Sequence, residues 1–461
     1  MAKNSPKDGR WGLLFQAPNS ANPAWLISVR IMRLSRQGLA TVTMLENICH
    51  LIIIIACFPR FLCYTAIKVW ELGGKNMIKT LIATTSELDD ENLAVEQIKS
   101  QLNFNENLLK NTIGIIACHY EFVLSDSFKA VCEALPFDVV GTISAAQSVP
   151  GESGSLLLTL MVLTSDDVEF DKVITPSLME NPINVIEKSY RNACRTQKPA
   201  LILTFAPFIL QNSGDDYVNT LTEVSGGVPC FGTLAVDDTL DFSNCFMLAG
   251  GEHYRDRMAM ILVYGKIQPR FFVANISESR MLEKSAAVTK SAGPVLMEVN
   301  ERPVIEYFSD LGLLDATETQ YAMSSLPFLL DYNDGTPKVS KIFVTLTPEK
   351  YAICAGAVPQ GSTLYMATTD KDDVLLTTGE AVDMILKEIN NASLLLIYSC
   401  ISRSMTLGSD LFKEMDLIDQ RISGKLPFMM ANSGGEICST QVSKGKAINR
   451  FHNNAFIACM I

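Results

Sequence analysis

The sequence predicts an α/β protein: mixed sheets covered by helices, built from repeated strand–helix–strand–hairpin units in two halves. Three observations carry this reading. Apolar residues are 48% of the 461 and aromatics 8%, which fills a sizeable core. Charged residues are 19%, below the roughly 25% of an average globular chain, so disordered and coiled-coil classes are excluded. One order of elements, finally, recurs three times along the chain. At roughly 150 residues per domain, the length suggests two or three domains.

The first 76 residues stand apart. They carry nine Lys/Arg against three Asp/Glu, net +6, whereas 77–461 carry 29 against 47, net −18. Residues 1–40 show no clean period. The apolar run 48–58 is about half of what a membrane helix needs before Pro59 and Arg60 interrupt it. Codons for Gly73-Gly74-Lys75-Asn76 can spell a purine-rich ribosome-binding site just ahead of Met77, and a strand, Ile78-Lys-Thr-Leu-Ile-Ala83, follows at once. The expectation is an atypical leader over 1–76, either translated upstream sequence or a poorly ordered extension, with a membrane anchor as the lesser option. The acidic body argues against a surface that tracks nucleic-acid phosphates.

The first unit opens with the apolar strand Thr112-Ile-Gly-Ile-Ile-Ala-Cys118, followed by a helical pattern through Phe128, Val131, Cys132 and Leu135. A proline-started segment then reaches Gly141-Thr142, and a strand over 155–163 closes the unit. The second opens with Ala200-Leu-Ile-Leu-Thr-Phe205, turns through Pro229 to Gly232-Thr233, and closes with Met258–Tyr264. Residues 293–300 and 302–308 read as a hairpin leading into a helix, with strands over 351–358 and 363–368. Ser277-Glu-Ser-Arg280 and Lys284-Ser-Ala-Ala read as a polar break, placing a boundary near 280–292, hence halves at 77–290 and 291–461. The third unit opens with Ser393-Leu-Leu-Leu-Ile-Tyr-Ser-Cys400, has a helix through Leu411, Met415 and Ile418, and turns through Pro427 to Asn432-Ser433. Its closing strand is expected over 454–461.

Familiar chemical signatures are missing. There is no G-x-G-x-x-G, no phosphate loop, no C-x-x-C and no H-x-x-x-H. Twelve scattered cysteines, mostly in apolar runs, read as reduced and buried. Paired carboxylates (Asp166-Asp167, Asp237-Asp238, Asp372-Asp373) sit where turns and caps are expected. What remains is a polar cluster in the last third: Cys400 at a strand end, Arg403 in the loop, Glu414 on the next helix, Asn432-Ser433-Gly434-Gly435-Glu436, and Phe451-His452-Asn453 opening the last strand. Arg403, Glu436 and His452 are expected to converge at one sheet edge, Arg403 offering a fork for a carboxylate and Glu436 a partner for an ammonium. The competing reading is a structural ion pair of Arg403 with Glu414 or Glu436, with His452 satisfied in the core.

In the order and spacing of these residues the chain resembles the FIST domain family of bacterial signal-transduction proteins over about 77–461. The N-terminal likeness rests on Gly114–Cys118, Val140-Gly141-Thr142, Leu163-Thr-Ser-Asp-Asp-Val-Glu-Phe170 and Pro229–Gly232. The C-terminal likeness rests on Ile397-Tyr-Ser-Cys400 with Arg403, Gly435-Glu436-Ile437 and His452-Asn453. Two departures stand out: Met429-Met430-Ala431-Asn432-Ser433 replaces the glycine-aromatic stretch, and Asn454-Ala455 replaces the usual threonine. The resemblance implies a cytoplasmic sensor that binds a small ligand, such as an amino acid, and signals to a separate protein such as a histidine kinase or cyclase. The residues it implies for the ligand are Cys400, Arg403, Glu414, Glu436, His452 and Asn453. No cofactor is expected on that reading. The alternatives are a haem-based nitric oxide sensor with His119 or His452 as axial ligand, and an enzyme with Cys400 as nucleophile.

Overall fold

The computed structural model describes residues 13–15, 28–31, 40–43 and 77–461, apart from 210–211, 240–241, 315–325 and 444–445. The chain divides into two compact units, Met1–Gly74 and Lys75–Ile461. In the first unit, β1 (Leu13–Phe15), β2 (Ser28–Ile31) and β3 (Ala40–Thr43) pair antiparallel; each is too short to leave a visible period in the sequence. The apolar run 48–58 lies outside the described residues.

In the second unit, β4 (Lys79–Thr85) starts two residues after Met77. The helix Glu91–Leu102 follows, its first turn held by the Asp90 side chain, which accepts from the Asn92 and Leu93 amides. Then come β5 (Asn111–Cys118), the helix Ser127–Glu133, β6 (Asp138–Ile143), the hairpin β7 (Gln147–Val149) and β8 (Glu152–Gly154), and β9 (Leu158–Ser165). The same elements follow as β10 (Glu169–Ile174), β11 (Leu201–Ala206), the helix Gly214–Ser225, β12 (Cys230–Leu234), the hairpin β13 (Met247–Ala249) and β14 (Glu252–Tyr254), and β15 (Ala259–Tyr264).

After β16 (Arg270–Ala274) the chain leaves to build a separate seven-stranded sheet. Its strands are β17 (Met281–Ala292), β18 (Val295–Val299), β19 (Arg302–Pro303), β20 (Pro327–Asp331), β21 (Val339–Leu346), β22 (Ala352–Cys354) and β23 (Thr363–Ala367). The helix Lys371–Glu388 returns it to β24 (Leu395–Cys400), the helices Ile401–Leu407 and Lys413–Ile422, β25 (Phe428–Ser433), the hairpin β26 (Glu436–Ser443) and β27 (Lys446–His452), and β28 (Phe456–Met460).

The three six-stranded sheets share one order: β14-β13-β6-β5-β9-β4, β27-β26-β12-β11-β15-β10 and β8-β7-β25-β24-β28-β16. In each, two central strands run parallel and the rest antiparallel, and the outer hairpin comes from a different stretch of chain. Thus β13–β14 completes the first sheet, β26–β27 the second and β7–β8 the third. Their inner faces meet in one core that includes Ile115 and Met161, Leu203 and Ile261, and Leu396 and Ile457. Each such side chain removed from water contributes roughly 1.5–3 kcal/mol. The recurring Gly-Thr has a steric cause. A Cβ on Gly141 would lie 1.7 Å from the Ile116 carbonyl oxygen, and one on Gly232 2.1 Å from that of Thr204.

Two expectations are corrected. The stretch 280–292 is no break: Ala286 and Val288 alternate inward along β17 while its lysine and serine face outward, which makes a half-buried strand look like a linker. Phe451 and His452 do not open the last strand. They end β27, and the last strand, β28, begins only at Phe456. Among the described residues no helix is long and apolar enough to cross a membrane.

Candidate functional site

Strand β25 ends at Ser433, and two glycines pass the chain to β26. Backbone bonds clamp this turn onto β12: the Leu234 amide donates to the Gly435 carbonyl and the Gly434 amide to the Leu234 carbonyl, both at 2.9 Å. A Cβ on Gly435 would lie 2.4 Å from the Phe451 ring, so β26 and β27 close only around glycine. Glu436 is thereby placed opposite Thr233 on one side and His452 on the other. Residues directly opposite on antiparallel strands project from the same face.

Glu436 and His452 are completely buried, yet among the described residues neither carboxylate oxygen and neither ring nitrogen has a well-formed hydrogen bond. Such groups cost free energy and are rare in folded proteins. The fold does not demand them. In the first sheet the matching pair, opposite Thr142, is Met247 and Tyr254. In the third, opposite Ala431, it is Gln147 and Gly154. A polar pair that the other hairpins do without points to function.

The neighbours extend the cluster. The Asn453 amide donates to the Ser340 carbonyl at 3.0 Å, while the Asn453 Oδ1 and Ser340 Oγ lack partners. Ser402 Oγ lies 3.2 Å from Cys400 Sγ and 3.0 Å from Asn454 Oδ1. Thr233 Oγ1 donates to Ser433 Oγ at 2.8 Å. Burial pushes Glu436 well above the usual carboxylate range. Ser433, Cys400, the Ala455 backbone and Arg403 pull the other way, although none makes a well-formed hydrogen bond to its oxygens. Burial, with the charges of Lys341 and Arg450, pushes His452 down to about 3. Burial thus favours the neutral form of both the acid and the imidazole.

Arg403 and Glu414 are placed differently. Arg403 Nη2 and Nε reach Glu414 Oε1 at 2.8 and 3.0 Å, and Nη2 also donates to the Val374 carbonyl and Thr378 Oγ1. Ser399 Oγ donates to the other Glu414 oxygen at 2.6 Å. Both side chains are 2% exposed. The structure thus brings Glu436, His452, Asn453 and Cys400 together and pairs Arg403 with Glu414 against the helix Lys371–Glu388. Burial, then the nearby Glu436, pushes the Cys400 thiol up to about 12. Cys400 should therefore resist iodoacetamide near neutral pH in the folded protein and react only after denaturation; rapid peptide-mapped labelling would overturn this placement.

A second buried pair adjoins the cluster. Lys341 Nζ lies 2.9 and 3.2 Å from the two Asp215 oxygens, and its ammonium sits 5.0 Å from the centre of the Phe451 ring. Burial works to lower Lys341, but Asp215 outweighs it and holds the lysine charged. Sequence reasoning passed over both residues. The available signal was a lone lysine inside the apolar strand pattern 339–344.

Neither histidine fits a haem. His119 Nε2 is 3.3 Å from Asp238 Oδ1, and its Nδ1 accepts from the Glu121 amide at 3.4 Å, so both nitrogens are engaged. His452 has bare nitrogens but is wholly buried, so in this closed arrangement no porphyrin reaches it.

Comparison with protein families matches the FIST N domain over residues 112–302 and the FIST C domain over 306–439. The comparison with curated proteins gives no match. Among solved structures, one similar chain is PurLQS from Thermotoga maritima, at 9% identity over 83% of this chain and 72% of that one. Its TM-score is 0.17, and a likeness at that level carries no argument.

Proposed function

Because the chain belongs to the FIST family, carrying both its N and C domains, we propose that it is a cytoplasmic sensor whose small ligand binds at the Glu436–His452 cluster. FIST domains are associated with signal transduction and small-ligand sensing. The observation that carries the proposal is the fully buried, unpartnered acid–imidazole pair at a position the other two hairpins fill with Met247 and Tyr254 or Gln147 and Gly154. An amino acid's ammonium group fits Glu436, with His452 and Asn453 as further hydrogen-bonding groups and Cys400 and Ser433 as the floor. Arg403 and Glu414 brace the end of β24 from behind. Occupancy is passed to a separate signalling protein, such as a histidine kinase or cyclase, through unequal affinity for two conformations.

An ammonium placed on Glu436 ionises it, so binding releases a proton and tightens as pH rises. Native mass spectrometry of the full-length protein purified from cells identifies the bound mass. Calorimetry with that compound in two buffers of different ionisation enthalpy reads the proton. Glu436→Gln is expected to weaken binding about tenfold or more and to abolish the proton release. Equal affinity and equal heats for wild type and variant would overturn the assignment.

A further inference from the structure

We infer that the seven-stranded sheet is a hinged cover over the Glu436–His452 site, latched by the Lys341–Asp215 ion pair. The inference rests on the functional reading above, because it says how that sealed site is reached.

The sheet has the anatomy of a moving part. Its own core, built on Phe308, Phe328 and Phe343, is separate from the cores of the three six-stranded sheets. It joins the rest of the chain through two segments, 275–280 and 368–370, that run side by side. The Thr368 amide donates to the Arg280 carbonyl at 3.1 Å, and Arg280 pairs with Asp370 at 2.7 Å. Paired connections of this kind form a hinge. β21 starts beside the hinge, where Asn275 Nδ2 donates to the Lys338 carbonyl at 2.9 Å, and lies against the end of β27, where the Ser340 carbonyl accepts the Asn453 amide and covers the site.

Asp215 is the buried carboxylate that ties the sheet down there, beside the more exposed ion pair of Arg450 on β27 with Asp334 of the sheet segment. Asp215, in the first turn of the helix Gly214–Ser225, accepts from Lys341 Nζ and, at 2.7 Å, from the Ala357 amide, both donors belonging to the sheet segment. Gly356 fits between them because a Cβ there would lie 2.5 Å from both Asp215 Oδ2 and Lys341 Nζ. A buried pair made of one residue from each body releases all at once when water enters, which suits a latch. The site beneath has no exposed surface, so any ligand must wait for such an opening.

The test uses full-length protein and reads opening without any ligand. Lys341→Met removes the latch charge, and Lys341→Met with Asp215→Asn removes both charges while keeping an acceptor for the Ala357 amide. Cys400 alkylation by N-ethylmaleimide and hydrogen exchange are followed peptide by peptide. The expected result is Cys400 labelling about tenfold or more faster, with faster exchange over 339–346 and 446–453 and unchanged exchange in β5 and β9. Unchanged Cys400 labelling, or equal acceleration in every peptide, would overturn the cover. If neither variant folds, the pair belongs to folding and the latch is wrong. Loss of ligand binding in Glu436→Gln is a separate measurement, so either idea can fail alone.

Discussion

Glu436→Gln should make the protein more stable near neutral pH. A buried acid whose folded pKa is raised holds its proton while the unfolded chain, titrating near 4.5, has lost it. Between those two values the unfolded state is favoured by about 1.4 kcal/mol for each pH unit. Stability due to Glu436 is therefore full below about pH 4.5 and falls as pH rises toward the folded pKa. Glutamine keeps the shape, cannot ionise, and removes that slope. Melting temperatures of wild type and Glu436→Gln should coincide at acid pH and separate in the variant's favour above it. Parallel curves would mean that Glu436 is not held neutral. A residue that weakens the fold at working pH is kept for another reason, and ligand binding is the reason proposed here.

His452 supplies the opposite arm. Its folded value of about 3 lies below the ordinary 6.5, so stability is present above pH 6.5 and lost as pH falls. The gap corresponds to about 5 kcal/mol lost by about pH 3. Above about 4.5 and below about 6.5 the two slopes oppose each other, so the contribution of the pair to stability should peak in that range.

The parts of the site legible in the sequence share one property: they are polar residues inside apolar runs. Glu436 after two glycines and His452-Asn453 ahead of β28 stood out for that reason, and the structure seats them side by side. Lys341 and Asp215 carry the same kind of signal more weakly. They lie 126 residues apart, one in a strand of another sheet and one in a helix's first turn, where an acid is ordinary. Period and propensity also say nothing about which sheet a strand joins. The strands β7, β13 and β26 each pair outside their own stretch of chain, a choice made by tertiary packing. The misread of 280–292 has the same root, since a strand exposed on one face carries the composition of a linker.

Arg403→Ala tests the other half of the expected cluster, and its largest effect should be on stability. Both partners are 2% exposed, and the guanidinium satisfies Glu414, the Val374 carbonyl and Thr378 together. Truncation strands a buried carboxylate whose charge the Ser399 and Thr378 hydroxyls cannot neutralise, at a cost of about 3–5 kcal/mol. Chemical denaturation of wild type and variant reads this directly. Replacing the pair together, Arg403→Met with Glu414→Leu, leaves no buried charge and should recover most of the loss. The same double variant decides Arg403's role toward the ligand. If the guanidinium only braces β24 against the helix Lys371–Glu388, the refolded double variant binds as the wild type does. If its affinity falls as far as that of Glu436→Gln, Arg403 leaves Glu414 to receive the ligand's carboxylate, and the bracing role is wrong.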